Sequence, residues 1–171
     1  MKIKSIVLLL LLLIFKVDAQ INLKIYGQKI LDNKVKPTDD KNTFQLIDSL
    51  FCKNKTNQDF YFNVFNKIQQ ISDGALSEYV SIVASKYYFI NNTEFIKKSK
   101  KMTTKAIYQW LDHVAFELYI NCENGEKDLP KIKKKIMLLE NKFLTNSEEK
   151  TKCKTFNDYL YRKAVDEIKV G

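Results

Sequence analysis

From Asn42 onward, apolar residues return every three or four positions, the period of a helix buried along one side. Phe44, Ile47, Leu50 and Phe51 open the series, with Asn42 or Thr43 as the cap, and the polar run 54–57 ends it. Phe60, Val64, Phe65, Ile68 and Ile71 then predict a helix over 59–71. Ser72, Asp73 and Gly74 form a turn, with Asp73 placed to cap the next helix, which runs to about Ile90. Leu76, Val80, Val83 and Tyr87 make its main stripe, while Ile82 and Phe89 lie on the opposite side. Asn91, Asn92 and Thr93 break the chain before a short helix carrying Phe95 and Ile96. Thr103 or Thr104 caps a long helix to about Cys122, striped by Ile107, Leu111, Val114 and Leu118, with Phe116 and Ile120 facing away. Asn124-Gly125 is a turn. Asp128 and Pro130 open a helix with Ile132, Ile136, Leu139 and Phe143 on one side; Pro is tolerated in a first turn. After Asn146-Ser147, Phe156, Leu160, Ala164 and Ile168 mark the last helix.

The segment before Asn42 is less regular. Ile21, Leu23 and Ile25 alternate as in a strand, but Ile30, Leu31 and Val35 do not continue the pattern, so a short helix or an extended arm is expected. Pro37, Thr38, Asp39 and Asp40 read as a linker. The organisation expected is therefore an arm or linker over 20–42 and an all-helical domain over 43–171. Helices 75–90 and 104–122 are apolar on two faces, and a helix in a simple pair needs only one. Two faces call for neighbours on both sides. That suits stacked helical hairpins, as in a HEAT-like α-solenoid, or a compact multi-helix bundle with these two at its centre. The stretch from Ser72 to Ile96, in which SDGALSE leads into an aromatic helix and then NNTEFI, resembles segments of small uncharacterised exported helical-repeat proteins of bacteria. The resemblance carries no catalytic motif and implies a fold alone.

The first 20 residues have a different character. Lys2 and Lys4 precede an unbroken apolar run from Ile6 to Phe15, Lys16 closes it, and Val17 and Ala19 offer small side chains at a cleavage site. This is the layout of a secretory signal peptide. Ten apolar residues make a helix of only about 15 Å, half a hydrocarbon core. An exported chain, periplasmic or secreted, is the expectation, with signal peptide 1–19 removed and no transmembrane helix afterwards.

Composition narrows the classes further. With 4 Gly and 2 Pro in 171 residues, collagen-like and many-stranded β folds lack their turn residues. Aromatic residues at 12% give too much apolar surface for a disordered chain. The formal net charge is +9, falling to +7 once residues 1–19 are gone. Arg162 is the only arginine, whereas base and phosphate recognition favours arginine's planar fork, so no nucleic acid is expected. The densest basic cluster is Lys131, Lys133, Lys134 and Lys135, a candidate docking face for an acidic protein partner; Lys97, Lys98, Lys100, Lys101 and Lys105 form a second. A solvated helix face would account for both equally.

Three cysteines, Cys52, Cys122 and Cys153, remain after the signal. In an oxidising compartment a Cys122–Cys153 disulfide is the expected pairing, closing a loop worth about 3.5 kcal/mol, although another pairing or none stays open. None has the spacing of a redox or zinc pair. His113 is the only histidine, and phosphate loops, nucleophile elbows and metal-binding motifs are missing, so no cofactor and no metal are expected. Glu78 stands out as a carboxylate between apolar positions of a central helix.

These features favour a non-enzymatic, exported protein-binding module. In size, export signal and helical content the chain is similar to type VI secretion amidase immunity proteins, which implies an immunity or inhibitor role. Two alternatives stand beside it. One is an enzyme of unfamiliar type built on His113, Glu78 and a cysteine, which a pocket gathering two of them would favour. The other is an envelope-associated structural protein using its lysines at an anionic surface. Mass spectrometry of the exported protein should show Gln20 as its first residue; a full-length species held in the membrane would reject the cleavage site.

Overall fold

The computed structural model describes residues 23–140, 144 and 146–170. The expected export signal, residues 1–19, and Phe143 lie outside them. Among the described residues there are eight α-helices and no strand. The chain divides after Ile71 into two compact units.

The first unit contains helix α1 over 23–31, α2 (Lys41–Asp48), a 3₁₀ turn (Ser49–Phe51) and α3 (Lys55–Ile71). The ambiguous N-terminal segment is therefore helical. It ends at Asn33, whose φ of +57° is the left-handed conformation that asparagine tolerates as a helix stop. Gly27 lets α1 approach closely: a Cβ there would lie 3.1 Å from Phe60 Cζ and 3.3 Å from Leu46 Cδ2. Ile30, Leu46, Ile47, Val64, Phe65 and Ile68 are the buried centre. The cap of α2 is Asp40, in place of the Asn42 or Thr43 read from the pattern. Its Oδ1 accepts from the backbone N–H groups of Asn42 (2.7 Å) and Thr43 (3.0 Å). Thr38 and Thr43 donate to its other oxygen, and Tyr26 bonds Thr43 Oγ1 at 3.1 Å. Burial raises the Asp40 carboxyl, but these hydrogen bonds outweigh it and hold the group below the usual range.

The second unit contains α4 (Gly74–Ile90), α5 (Asn92–Ser99), α6 (Thr104–Ile120), a 3₁₀ turn (Gly125–Asp128), α7 (Leu129–Glu140) and α8 (Ser147–Val170). Thr103 caps α6, its Oγ1 accepting from Ala106 N–H at 3.2 Å; Asp73 occupies the cap position of α4 without a side-chain capping bond. Helix α6 packs against α4 on one side and α8 on the other, and α8 also meets α5 and α7. In an open solenoid each repeat touches only its neighbour. Here α8 returns to α5, so the helices close into a bundle, one of the two architectures the pattern allows.

An aromatic cluster fills the middle. Phe95 lies 5.2 Å from Tyr88, 5.0 Å from Trp110 and 6.0 Å from Phe156, ring centre to ring centre. Trp110 is fully buried and donates its indole N–H to Ala84 O at 3.3 Å, so its one polar atom is satisfied. Asn157 is a second buried tie: it accepts from Tyr88 Oη (2.9 Å) and donates to Ile136 O (3.4 Å), linking α4, α8 and α7. Leu111, Val114, Leu118, Ile132, Ile136, Leu139 and Leu160 are buried as their stripes predict. No helix among the described residues is long and apolar enough to cross a membrane.

The three cysteines are free, which corrects the expected Cys122–Cys153 disulfide. The two thiols are engaged in different surroundings. Cys122 follows the end of α6 and donates to Leu118 O at 3.1 Å. Cys153 is sealed in the core and meets Asn92 Oδ1 at 3.4 Å.

Leu111→Asp should unfold the second unit, because an unpaired buried carboxylate costs on the order of 5 kcal/mol, comparable with the stability of a small domain. His113→Ala should cost only about 1 kcal/mol, since it removes one hydrogen bond to Ser81, which keeps Ser77 O as a partner. Melting curves of the two variants would compare them; equal small losses would show that Leu111 is not part of the core.

Candidate functional site

Part of the second apolar face of α4 and of α6 is exposed. Ile82 is 49% exposed and Ile90 64% on α4; Phe116 is 41% exposed and Ile120 50% on α6. The pattern calls for neighbours on both sides of these helices; α6 has them in α4 and α8, yet these four side chains stay exposed.

Next to this uncovered surface lies a cleft of about 600 Å³ between α4, α6, the segment after α6, and α7. Ile82, Phe89, Ile90, Leu118 and Ile132 provide its apolar lining. Lys86, Lys131 and Lys135 line it as well, and so do Glu117, Glu123 and Asp128. Two of those acids have internal partners. Asn121 Nδ2 donates to Glu117 O at 2.6 Å and to its carboxylate at 3.4 Å. The backbone N–H of Asn124 donates to Asp128 Oδ2 at 3.1 Å.

Lys131, Lys133, Lys134 and Lys135 are all exposed on α7. Helical spacing separates them. Lys131 and Lys135, one turn apart, both line the cleft, and the Lys135 ammonium sits 4.4 Å from the centre of the Phe89 ring. Lys133 points toward α8, 5.9 Å from the Tyr161 ring. None of the four forms an ion pair with a described carboxylate, whereas Lys97, Lys100 and Lys163 pair with Glu94, Glu148 with Glu149, and Glu167. The second lysine cluster is thus partly neutralised by its own fold.

A shallower groove of about 430 Å³ lies between α4, α6 and α8. It gathers Glu78 and His113, two of the three residues named for an enzyme, with Ser77, Ser81, Asp112, Phe116, Lys163 and Glu167. Ser81 Oγ lies 2.7 Å from His113 Nδ1 and donates to Ser77 O at 2.9 Å. Tyr159 donates to Asp112 at 2.6 Å; burial first, then this carboxylate, raises its phenol far above the usual range. No cysteine joins the groove. Cys52 belongs to the first unit, Cys153 is core, and Cys122 lines the other cleft. Burial, then the charge of Asp128, pushes the Cys122 thiol up, which keeps it protonated and a poor nucleophile. Among the described residues no group of three or more His, Cys, Asp or Glu is placed to hold a metal ion.

Several adjacent carboxylates of the chain have local roles. Asp40 caps a helix, Glu148 and Glu149 meet Lys100, and Glu167 meets Lys163. Sequence reading missed the Phe89–Lys135 contact, because nothing in the spacing shows that a side chain of α7 reaches the end of α4. Compared with protein-family models, curated proteins and solved structures, the chain shows no match.

Burial raises the Glu117 carboxyl against the pull of Asn121 and Lys135. A carboxyl raised in the folded state stabilises while protonated, and that contribution is lost as pH rises through its folded pKa. Glu117→Gln should therefore raise Tm at pH 7, with the gain fading below the ordinary glutamate value of about 4.3. Thermal melts at pH 7 and pH 4 would test this; a Tm gain equal at both pH values would mean that ionisation of Glu117 carries no cost.

Proposed function

We propose that the protein is an exported, non-enzymatic binding module that docks an acidic protein partner on the α7 side of its second unit. The observation that carries this reading is the set of four exposed lysines that form no ion pair with a carboxylate of the described residues, beside exposed apolar side chains of α4 and α6. Unneutralised charge next to apolar area is what an interface uses: the charge speeds and orients encounter, and the apolar area holds the complex. An immunity or inhibitor role, in which the partner is a toxin, fits a module of this kind.

One observation favours a second reading, an enzyme of unfamiliar type: Glu78 and His113 share a groove. Against it, the Ser81 hydroxyl is held by its own helix, and the cysteine named with Glu78 and His113 lies elsewhere. A hydrolytic activity abolished by Glu78→Gln and by His113→Ala would establish it.

Lys133→Glu, Lys134→Glu and Lys135→Glu together should leave the fold intact, since all three side chains are exposed. A pull-down from the native envelope, read by mass spectrometry, would identify the partner. Its association rate should fall by about tenfold or more in the triple variant at low salt, and the two rates should converge as salt screens the charge. A rate indifferent to both reversal and salt would reject the basic face. Binding to anionic liposomes in place of any protein would favour the envelope-associated reading.

A further inference from the structure

We infer that the exposed face of α4 and α6, with the cleft at its edge, is where a second copy of this chain docks to make a twofold dimer. This goes beyond the docking reading and does not rest on it, because Lys133 and Lys134 do not line the cleft and stay outward on each copy.

Helices α4 and α6 run antiparallel. Ser81 meets His113, and Ala84, further along α4, meets Trp110, which comes earlier on α6. Each helix carries exposed apolar side chains, Ile82 and Ile90 on α4, Phe116 and Ile120 on α6. These can lose water on docking without any change in the core. A standard interface takes about 800 Å² from each partner, more than four partly exposed side chains supply. The lining of the cleft must therefore join the contact.

Charge decides who the visitor is. Lys86, Lys131 and Lys135 line the cleft together with Glu117, Glu123 and Asp128, so the lining carries both signs in equal number. The two signs are interleaved, since Lys135 acts on the Glu117 carboxyl within one copy. A partner of a single sign is attracted by half of this lining and repelled by the other half. In a twofold contact the same patch meets itself, so it has to be self-complementary. A surface of mixed sign beside apolar side chains meets that condition, and a surface of lysines alone does not. The whole chain is formally +9, so two copies repel at long range. At the cleft the lining is neutral, and the isoleucines beside it supply the attraction.

The test uses the exported chain without any partner. Sedimentation equilibrium up to about 1 mM, which captures even weak association, should show a reversible equilibrium that stops at two copies. Ile82→Ser with Ile90→Ser should weaken it at least about tenfold. Two charge variants probe self-complementarity. Lys131→Glu with Lys135→Glu leaves a mostly acidic lining, and Glu117→Gln with Glu123→Lys a mostly basic one. Each should dimerise at least about tenfold more weakly by itself, and an equal mixture of the two should recover the dimer. Circular dichroism and melting would verify that the variants fold. Ile82, Ile90, Glu123, Lys131 and Lys135 are exposed, and Glu117→Gln is expected to stabilise, so they should. A chain monomeric throughout, association that continues past two copies, or dimers indifferent to the isoleucine variant would overturn the inference. So would charge variants that self-associate as well as the unaltered chain, or a mixture that stays monomeric. A monomer that loses a captured partner on Ile82→Ser with Ile90→Ser would assign the face to that partner instead. Partner capture and self-association are read separately, so either reading can fail alone.

Discussion

The second unit depends on the packing of Phe95 against Trp110. Phe95 comes from α5, a helix of eight residues that is too short to be stable by itself in water. It is ordered because its ring is enclosed by Tyr88, Trp110 and Phe156, from three longer helices. Trp110 in turn fixes α6 against α4 through its indole N–H on Ala84 O. A large ring buried with its polar atom satisfied tolerates little displacement, so the position of α6 between α4 and α8 is set at this point.

That constraint explains why a face remains open. Helices α4 and α6 each turn one stripe toward the aromatic centre, and α8 closes the far side of α6. Once α8 and α5 are in contact, no helix of the unit is left to cover Ile82, Ile90, Phe116 or Ile120. The exposed apolar area and two of the α7 lysines then border one cleft, where Lys135 meets Phe89. Lysine is suited to such an edge. Its methylene stem shields apolar surface while its ammonium stays in water, so the unoccupied face remains compatible with a dissolved protein.

The first unit is organised differently. Close approach and polar ties accompany the burial of Ile30, Leu46, Ile47, Val64, Phe65 and Ile68. Gly27 removes the side chain that would hold α1 away from α2 and α3, and Asp40 gathers the loop and the start of α2 through Thr38, Asn42 and Thr43. A carboxylate that accepts several hydrogen bonds is most effective when ionised, consistent with its lowered pKa.

The amino-acid pattern by itself determined that the chain is helical, where most helices begin and end, and which stripes are buried. Leu111, Val114, Ile132, Ile136 and Leu160 show why: a 3.6-residue period needs no knowledge of the partner surface. The pattern also marked Ile82, Phe89, Phe116 and Ile120 as a second face and singled out the α7 lysines, Glu78 and His113. Tertiary structure alone decided what those marks mean. Whether a second stripe is core or exposed surface depends on how many helices the fold can bring to it, and that number is fixed by long-range contacts such as α5 with α8. Thiols 31 residues apart cannot be paired from spacing, since the bond depends on where α6 ends and α8 begins in space. The same holds for Glu78 with His113, and for Lys135 with Phe89: each pair joins different helices, and only their packing brings the two side chains together.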